Sequence, residues 1–226
     1  MSSERYGQPG EEKKVFVALS IITMPRLIPK ATLFLVVMVA FIGIGAHAGR
    51  RIDDEPGYKK YQDVRRALNF STDYWLFTVN FPRKYTEGRR CTVFHIEKLE
   101  NDYMNYSSHY LVNGTEGSMK YVGKFFQTPL QDGSDREKNN GFYASLTSEK
   151  WHPQNYTLIY SDYEGCLILR VRDFYSGYAC MVLVSEPLAN NSMPWKCQFV
   201  YRNACNGSGI AEQIYERSCD KSKLLA

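Results

Sequence analysis

The chain has 226 residues, of which 44% are hydrophobic and 23% are charged, and its formal net charge is +4. That length suits one domain with one core, and the hydrophobic share excludes a wholly disordered chain. The first 48 residues hold five of the 28 basic residues and three of the 24 acidic ones, which leaves 23 and 21 in the remainder. This near balance excludes the basic surface that nucleic-acid binding requires, so we expect no nucleic-acid partner.

An uncharged apolar run occupies residues 31–46, after Arg26 and Lys30 and before the small-residue pattern Ala46-His47-Ala48. A basic stretch, an apolar stretch and an A-x-A site in this order are typical of a secretory signal peptide. The run is shorter than the roughly 20 apolar residues of a spanning helix, which makes a membrane anchor the lesser alternative.

The signal peptide divides the chain into three predicted parts. We expect Met24 to be the true start, residues 1–23 to be a polar leader that is not translated or is removed, and residues 24–48 to be the signal peptide. Residues 49–226 are then one secreted domain, extracellular and with no membrane partner after the signal is removed.

Six cysteines follow the proposed cleavage site, and an even count in a secreted chain predicts three disulfides. None forms a C-x-x-C motif, and Cys91 and His95 lack a second ligand pair at zinc spacing, so we expect no metal. The chain also contains six N-x-S/T glycosylation acceptors, which function only on the secretory route. These are Asn69, Asn105, Asn113, Asn155, Asn190 and Asn206.

A short helix is predicted within residues 57–69, because Tyr58, Tyr61, Val64 and Leu68 recur at near-helical spacing. From Tyr74 onward, aromatic and β-branched runs alternate with Gly, Asn, Asp and Pro, which indicates strands. We predict eight, at residues 74–81, 91–99, 106–112, 119–127, 141–147, 155–163, 166–173 and 178–186.

The links between these strands are mostly short, and short links join antiparallel neighbours. Asn113-Gly114 and Glu116-Gly117 are expected between one pair of strands, Glu164-Gly165 between another and Tyr175-Ser176-Gly177 between the next. Eight sequential strands without long intervening helices favour an all-β, eight-stranded antiparallel up-and-down barrel, whose interior suits one small ligand. Residues 192–219 lose the two-residue period and are expected to pack outside it as helix or coil.

No catalytic or cofactor motif is present, and we predict that the protein is not an enzyme. No G-x-S-x-G serine accompanies the histidines, and neither the dinucleotide nor the P-loop glycine pattern occurs. His95 and His109 are interpreted as surface or packing residues of strands.

The C-terminal third resembles the tick salivary lipocalins of the histamine-binding protein family. The resemblance lies in YSDYEGC at 160–166 with LILRV after it, in YACMVLVSE, in MPWKC at 193–197 and in YERSC at 215–219. Trp75 in the first strand and Cys91 opening the second fit the same pattern. The similarity spans roughly residues 56–221, and its distinctive part is the cysteine frame with its flanking strands.

The resemblance implies a lipocalin barrel with a helix at each end, secreted in saliva, that sequesters host mediators and blunts inflammation. It implies that the partner is a small molecule: a biogenic amine such as histamine or serotonin, or a lipid mediator. We expect the protein to be a monomer that binds an amine. It also implies the disulfide pairs Cys91 with Cys219 and Cys166 with Cys197, which leave Cys180 to pair with Cys205.

Strand alternation gives an expected ligand-facing set. If Cys180 points outward to its disulfide, then Ala179, Met181 and Leu183 point inward, and we favour the tyrosine face of the sixth strand as the inner one. The alternative is that the aromatics only fill the core. The predicted ligand-binding residues are Phe81, Tyr85, Tyr121, Phe125, Tyr143, Tyr156, Tyr160, Ala179 and Met181.

The sequence departs from the histamine binders where those proteins carry pocket acids. These positions hold Ala179, Thr157 or Tyr156, Leu167, and Arg83 or Lys84, although Glu97, Glu100 and Asp162 remain available. A buried amine needs a carboxylate. An apolar lipid mediator, such as a leukotriene or fatty acid, is therefore an alternative ligand. A second alternative is a protein-binding module that engages complement or clotting factors through loops such as residues 131–140.

Overall fold

The computed structural model describes residues 51–83, 86–174, 177–186, 192–205 and 210–225. The chain divides into the units Met1–Ala48 and Gly49–Ala226, and every described residue belongs to the second. The predicted leader, signal peptide and cleavage site lie outside the described residues. Within the described ranges, no helix combines the length and the apolar character needed to cross a membrane.

Eight antiparallel strands form the barrel, and each pairs with the next along the chain. Their order is closed by pairing of the first strand with both the second and the eighth. The predicted all-β up-and-down barrel is confirmed. The strands are β1 (Asp73–Val79), β2 (Arg89–Leu99), β3 (Tyr103–Val112), β4 (Thr115–Phe126), β5 (Gly141–Leu146), β6 (Gln154–Ser161), β7 (Cys166–Val171) and β8 (Ala179–Val184).

The hairpin between β3 and β4 is shorter than the sequence suggested. Asn113 and Gly114 both have positive φ, 51° and 79°, as a two-residue type I′ turn requires. β4 therefore starts at Thr115, and the expectation that Glu116-Gly117 belongs to the link is wrong. Gly117 pairs with Tyr110, whose ring lies over it so closely that a Cβ would come within 2.7 Å of the ring.

The N-terminal segment closes one end of the barrel, which we call the base. Two 3₁₀ helices, Ile52–Asp54 and Pro56–Tyr61, precede α1 (Val64–Leu68). The Asp63 side chain caps α1 by accepting the backbone N–H of Arg66 at 2.9 Å, which ends the 3₁₀ segment and starts the α-helix. Val64, Ala67 and Leu68 of α1 are buried in the inner core. The opposite end, where β1 ends and β2 begins, is called the mouth below.

The C-terminal segment packs outside the barrel, as predicted. It contains α2 (Trp195–Cys205), the short strand β9 (Glu212–Gln213) and α3 (Lys221–Leu224). Disulfides Cys166–Cys197 and Cys180–Cys205 fix both ends of α2 to β7 and β8, and Cys91–Cys219 fixes the tail to β2. These are the three pairs that the family resemblance implies.

The tail also fills a gap in the barrel wall near the mouth. β1 pairs with β2 only over Asp73–Trp75, and β9 takes the place of β2 beside Thr78 and Val79. The Cys91 N–H donates to the carbonyl of Ile214 at 3.2 Å, and the Ile214 N–H donates to the carbonyl of Phe77 at 3.0 Å. The backbone groups that the diverging strands expose are therefore paired by the tail.

A buried ion network joins the N-terminal segment to the barrel wall and α2. Asp53 is fully buried, and its carboxylate accepts the Arg170 guanidinium at 2.8 Å and that of Arg51 at 2.8 Å. Arg170, which is 1% exposed, also donates to the carbonyl of Ala204 in α2 at 3.1 Å. One guanidinium on the outer face of β7 thus links three parts of the fold.

Candidate ligand-binding site

The barrel encloses an apolar cavity of about 40 Å³ in its base half. Among the described residues, its wall contains no ionised side chain, and the polar side-chain groups are tyrosine hydroxyls. The lining residues are Leu68, Tyr74, Phe94, Ile96, Met104, Tyr106, Phe142, Tyr156, Leu169, Met181 and Leu183. Ligand pockets commonly measure roughly 300–1,000 Å³, so a ligand the size of a mediator has to displace side chains to enter.

Two methionines give this cavity the means to enlarge. Met104 and Met181 line it, and unbranched thioether side chains change conformation at low cost. Met104 packs over Gly123, where an added Cβ would come within 2.8 Å of its terminal methyl group. The absence of a side chain at Gly123 therefore provides the space in which Met104 lies.

Stacked aromatic rings surround the cavity toward the mouth. Tyr106 stacks on Tyr121 with ring centroids 5.0 Å apart, and Phe142 stacks on Tyr156 at 5.0 Å. Burial raises the pKa of Tyr106 and Tyr156 well above the ordinary value, and each neighbouring tyrosine adds to the effect. These hydroxyls are therefore neutral at physiological pH, and Tyr156 donates to the Gln154 side chain at 2.5 Å.

The base of the cavity is fixed by Tyr74. Its hydroxyl donates to the Ala67 carbonyl at 2.8 Å and accepts the Ser71 N–H at 3.1 Å. Burial raises the pKa of Tyr74 to about 12, although the bond from Ser71 opposes the shift. Because both bonds are internal to the fold, Tyr74 is a structural part of the wall.

Two of the predicted ligand-binding residues, Tyr156 and Met181, line the cavity. Four others lie in the inner core without bordering it. Phe81 stacks on Phe174 near the mouth, Tyr121 stacks on Tyr106, Phe125 packs near the base, and Ala179 is fully buried. Tyr85 lies outside the described residues. Ala179, Met181 and Leu183 do face inward while Cys180 faces outward, as alternation predicted.

The expectation that Tyr160 faces inward is wrong because β6 contains a bulge. Leu158 pairs with the inward Leu169, the register then shifts, and Tyr160 pairs with the outward Ile168. Tyr160 packs against Tyr61 of the N-terminal segment, with ring centroids 5.2 Å apart. One extra residue in a strand moves every later side chain of that strand to the opposite face of the sheet. No feature of the sequence indicates where this bulge lies.

The expectation that Tyr143 faces inward is also wrong. Its neighbours Phe142 and Ala144 are the inner residues of β5, so Tyr143 stands on the outer face, where it is 38% exposed. It stacks on Phe126 at 4.3 Å.

Sequence reasoning missed most of the cavity wall. β2 and β3 contribute four lining residues, Phe94, Ile96, Met104 and Tyr106. No pattern in the sequence favours either face of these strands. The available signal is cross-strand pairing: Tyr106 lies opposite Tyr121, which was predicted to face inward. Residues directly opposite in an antiparallel pair share a face.

The acids considered as amine partners all lie outside the cavity. Glu97 pairs with Lys120 at 3.7 Å, and Glu100 pairs with Lys98 at 3.1 Å, both on the outer surface. Asp162 accepts the N–H of Glu164 at 2.8 Å in the turn between β6 and β7. The three acids therefore offer no counter-charge for a ligand in the cavity.

The glycosylation acceptors differ in exposure. Asn69 and Asn113 are exposed, whereas Asn105 and Asn155 are half-buried. Asn190 and Asn206 lie outside the described residues.

The loop between β4 and β5 contains residues 131–140, the predicted protein-binding segment. Arg136 in this loop is buried and donates to the Asp53 carbonyl at 2.6 Å and to the Thr128 carbonyl at 2.8 Å. The loop is therefore fastened to the N-terminal segment.

The comparisons with known proteins agree with the barrel fold. A model of the tick histamine-binding protein family matches residues 52–221. The serotonin complex of AM182 is 14% identical, with a TM-score of 0.50 over 69% of this chain and 91% of that one. Apocrustacyanin C2 is 13% identical, with a TM-score of 0.51 over 76% and 92%. At these identities the two structures show the fold alone. No curated protein sequence matches significantly.

Proposed function

This chain belongs to the tick histamine-binding protein family, and we propose that it captures one small, predominantly apolar mediator of the host in its barrel, without turnover. The observation that carries the proposal is the cavity, whose wall, in the part of the chain that the structure describes, consists of Leu, Ile, Met, Phe and Tyr side chains without an ionised group. Its family and its three disulfides support a secreted protein. We further propose that it acts as a monomer, lowers the free concentration of a host mediator and so suppresses inflammation.

A protonated amine fits this wall poorly. Burying an ammonium ion without a counter-charge costs several kcal/mol, by an order-of-magnitude estimate, and tyrosine faces return about 1–2 kcal/mol through cation–π contacts. The three acids named above lie outside the cavity. The hydrocarbon chain of a lipid mediator instead gains about 0.8 kcal/mol for each CH₂ group that it buries, and that chain carries no charge into the cavity. We therefore favour a lipid over histamine or serotonin.

Calorimetric titration of the purified secreted protein tests this choice. Histamine, serotonin and arachidonic acid are each titrated at neutral pH, and native mass spectrometry gives the number of ligands bound. We expect saturable binding of one arachidonic acid molecule and affinity at least about tenfold weaker for both amines.

Tighter binding of either amine would overturn the lipid assignment. Absence of binding to all three, with capture of a purified complement or clotting protein, would instead support a protein-binding module.

A further inference from the structure

Arg89, the first residue of β2, lies at the mouth of the barrel. Its guanidinium is 3.9 Å from the centroid of the Tyr110 ring, and its Nη2 is 3.2 Å from the sulfur of Met119. It also lies beside the Tyr121 hydroxyl. Burial raises the pKa of that hydroxyl, and the charge of Arg89 and a hydrogen bond from it oppose the rise.

The three side chains that Arg89 contacts face the barrel interior. Tyr106 lines the cavity and pairs with Tyr121, and the next same-face pairs along these strands are Ser108 with Met119 and Tyr110 with Gly117. Alternate residues of a strand share a face. The guanidinium of Arg89 therefore lies just inside the mouth, above the apolar cavity.

The charge of Arg89 has no acidic partner in the part of the chain that the structure describes. Its neighbour Arg83 differs, because two of its nitrogens bind the carboxylate of Glu212 at 2.6 and 3.0 Å. Arg90 points outward and donates to the Gln213 carbonyl at 2.7 Å. Among the described residues, the Arg89 guanidinium contacts a thioether, which is a weak acceptor, an aromatic face and a neutral hydroxyl.

One acid, Glu149, acts on the same site from a distance. Its charge contributes to the raised pKa of Tyr121, and it is an exposed residue after the end of β5. It forms no ion pair with Arg89 among the described residues. The half-buried guanidinium of Arg89 thus has N–H donors for an anionic group of a ligand, and it lies at the entrance to an uncharged cavity.

We propose that Arg89, assisted by the Tyr121 hydroxyl, binds the carboxylate of an acidic lipid whose hydrocarbon chain occupies the cavity below. This inference rests on the proposed capture function and names the chemical class of its ligand. The planar guanidinium matches a carboxylate with two parallel N–H···O bonds. The ring of Tyr106, stacked on Tyr121 and lining the cavity, connects the carboxylate site to the apolar space without a gap.

Three probes that differ only in the head group test the inference: decanoic acid, methyl decanoate and decylamine. Each is titrated calorimetrically into wild-type protein, Arg89→Gln and the control Lys120→Gln. Lys120 is on β4 next to Tyr121, but its side chain is 70% exposed and pairs with Glu97 on the outside. We expect the acid to bind most tightly, and Arg89→Gln to weaken the acid about tenfold or more without affecting the ester. Lys120→Gln is expected to change neither affinity.

The outcomes separate the two proposals. Equal binding of acid and ester to wild-type protein, unchanged by Arg89→Gln, would overturn the role of Arg89 and leave capture of apolar ligands intact. Tightest binding of the amine would overturn both the role of Arg89 and the preference for lipids. Failure of all three probes to bind would remove the capture function together with the inference.

The comparison of acid with ester in wild-type protein needs no variant and therefore does not depend on how Arg89→Gln folds. Arg89→Lys provides a second variant that keeps the charge and loses the paired donors. We expect its affinity for decanoic acid to lie between those of the wild type and Arg89→Gln. An affinity for the acid no better than that of Arg89→Gln would count against a charge-based role.

Discussion

The barrel interior and the layer outside β7 are both buried, but they differ in whether they contain ionised side chains. In the outer layer, Asp53 and Arg170 are nearly inaccessible to water and lie 2.8 Å apart. In the interior, the described residues of the cavity wall include no ionised group. Burial alone therefore does not exclude charge from this protein.

The difference lies in the partners that each region supplies. Arg170 meets the Asp53 carboxylate and the carbonyls of Ala204 and Tyr178, at 3.1 and 3.3 Å from the same guanidinium nitrogen. Each of these partners belongs to a different segment, so satisfying the charge also fixes the segments together. The cavity offers neutral hydroxyls and flexible methionines instead. Polar contacts between segments therefore hold the outer layer in place, whereas the cavity wall is built mainly from packed apolar and aromatic side chains.

The largest effect is expected from breaking the outer network. Asp53→Asn keeps the shape of the side chain but leaves Arg170 buried without a counter-charge, and such losses cost about 3–5 kcal/mol of unfolding free energy. The matched control is Asp54→Asn, since Asp54 is 27% exposed and pairs with Arg172 at 3.4 Å. We expect it to cost about 1 kcal/mol or less. Urea unfolding measures both, and equal losses would contradict the assigned importance of the network.

The second largest effect is expected from adding side-chain volume beside the cavity. Gly123→Val adds a side chain where a Cβ meets the Met104 methyl group at 2.8 Å, and it pushes that flexible side chain toward the cavity. We expect ligand affinity to fall about tenfold or more, with a stability cost of about 1–3 kcal/mol. Ser118→Val, at an exposed position of the same strand, is the control for β4. Unchanged affinity in Gly123→Val would place the ligand elsewhere.

The barrel was predictable from the sequence because its signals are local. Apolar alternation marks each strand, and Asn113-Gly114 marks a two-residue turn between two of them. Cys180 is bonded to Cys205 outside the wall, and this bond oriented β8 correctly, so that Met181 was placed on the inner side. Alternation shows which residues share a face but not which face is the inner one. A disulfide to a segment outside the barrel identifies the outer face.

The residues that line the cavity were less predictable, because the face on which a side chain lies depends on the register of its strand. Tyr160 follows a bulge and faces outward, although the regular period of β6 placed it inward. The outer network was also missed: Asp53 and Arg170 are separated by more than a hundred residues, and isolated charges in a sequence are usually solvated. Only the folded chain brings them together.

Acid should weaken the outer layer. Burial by itself raises the pKa of Asp53, but the charges and hydrogen bonds of Arg170 and Arg51 outweigh it and hold the pKa below the ordinary value of 3.8. The unfolded chain therefore binds this proton at higher pH than the native protein does. The stabilisation is present above 3.8 and is lost as the pH falls through the folded pKa. Urea unfolding gives the free energy of unfolding at neutral pH and at about pH 3. We expect this free energy to fall less between the two pH values in Asp53→Asn than in the wild type.

The smallest effect concerns glycans on the outer surface. Asn113 is exposed at the turn between β3 and β4, whereas Asn155 is half-buried and its side-chain oxygen is enclosed without a hydrogen-bond partner. If the chain is secreted as predicted, we expect occupancy at Asn113 and little at Asn155, as measured by glycopeptide mass spectrometry. Thr115→Val removes the acceptor motif and leaves the turn residues unchanged. Because Thr115 is exposed, stability should shift by no more than about 0.5 kcal/mol and ligand affinity should stay the same. A large loss of affinity in this variant would mean that the glycan at the mouth takes part in ligand binding.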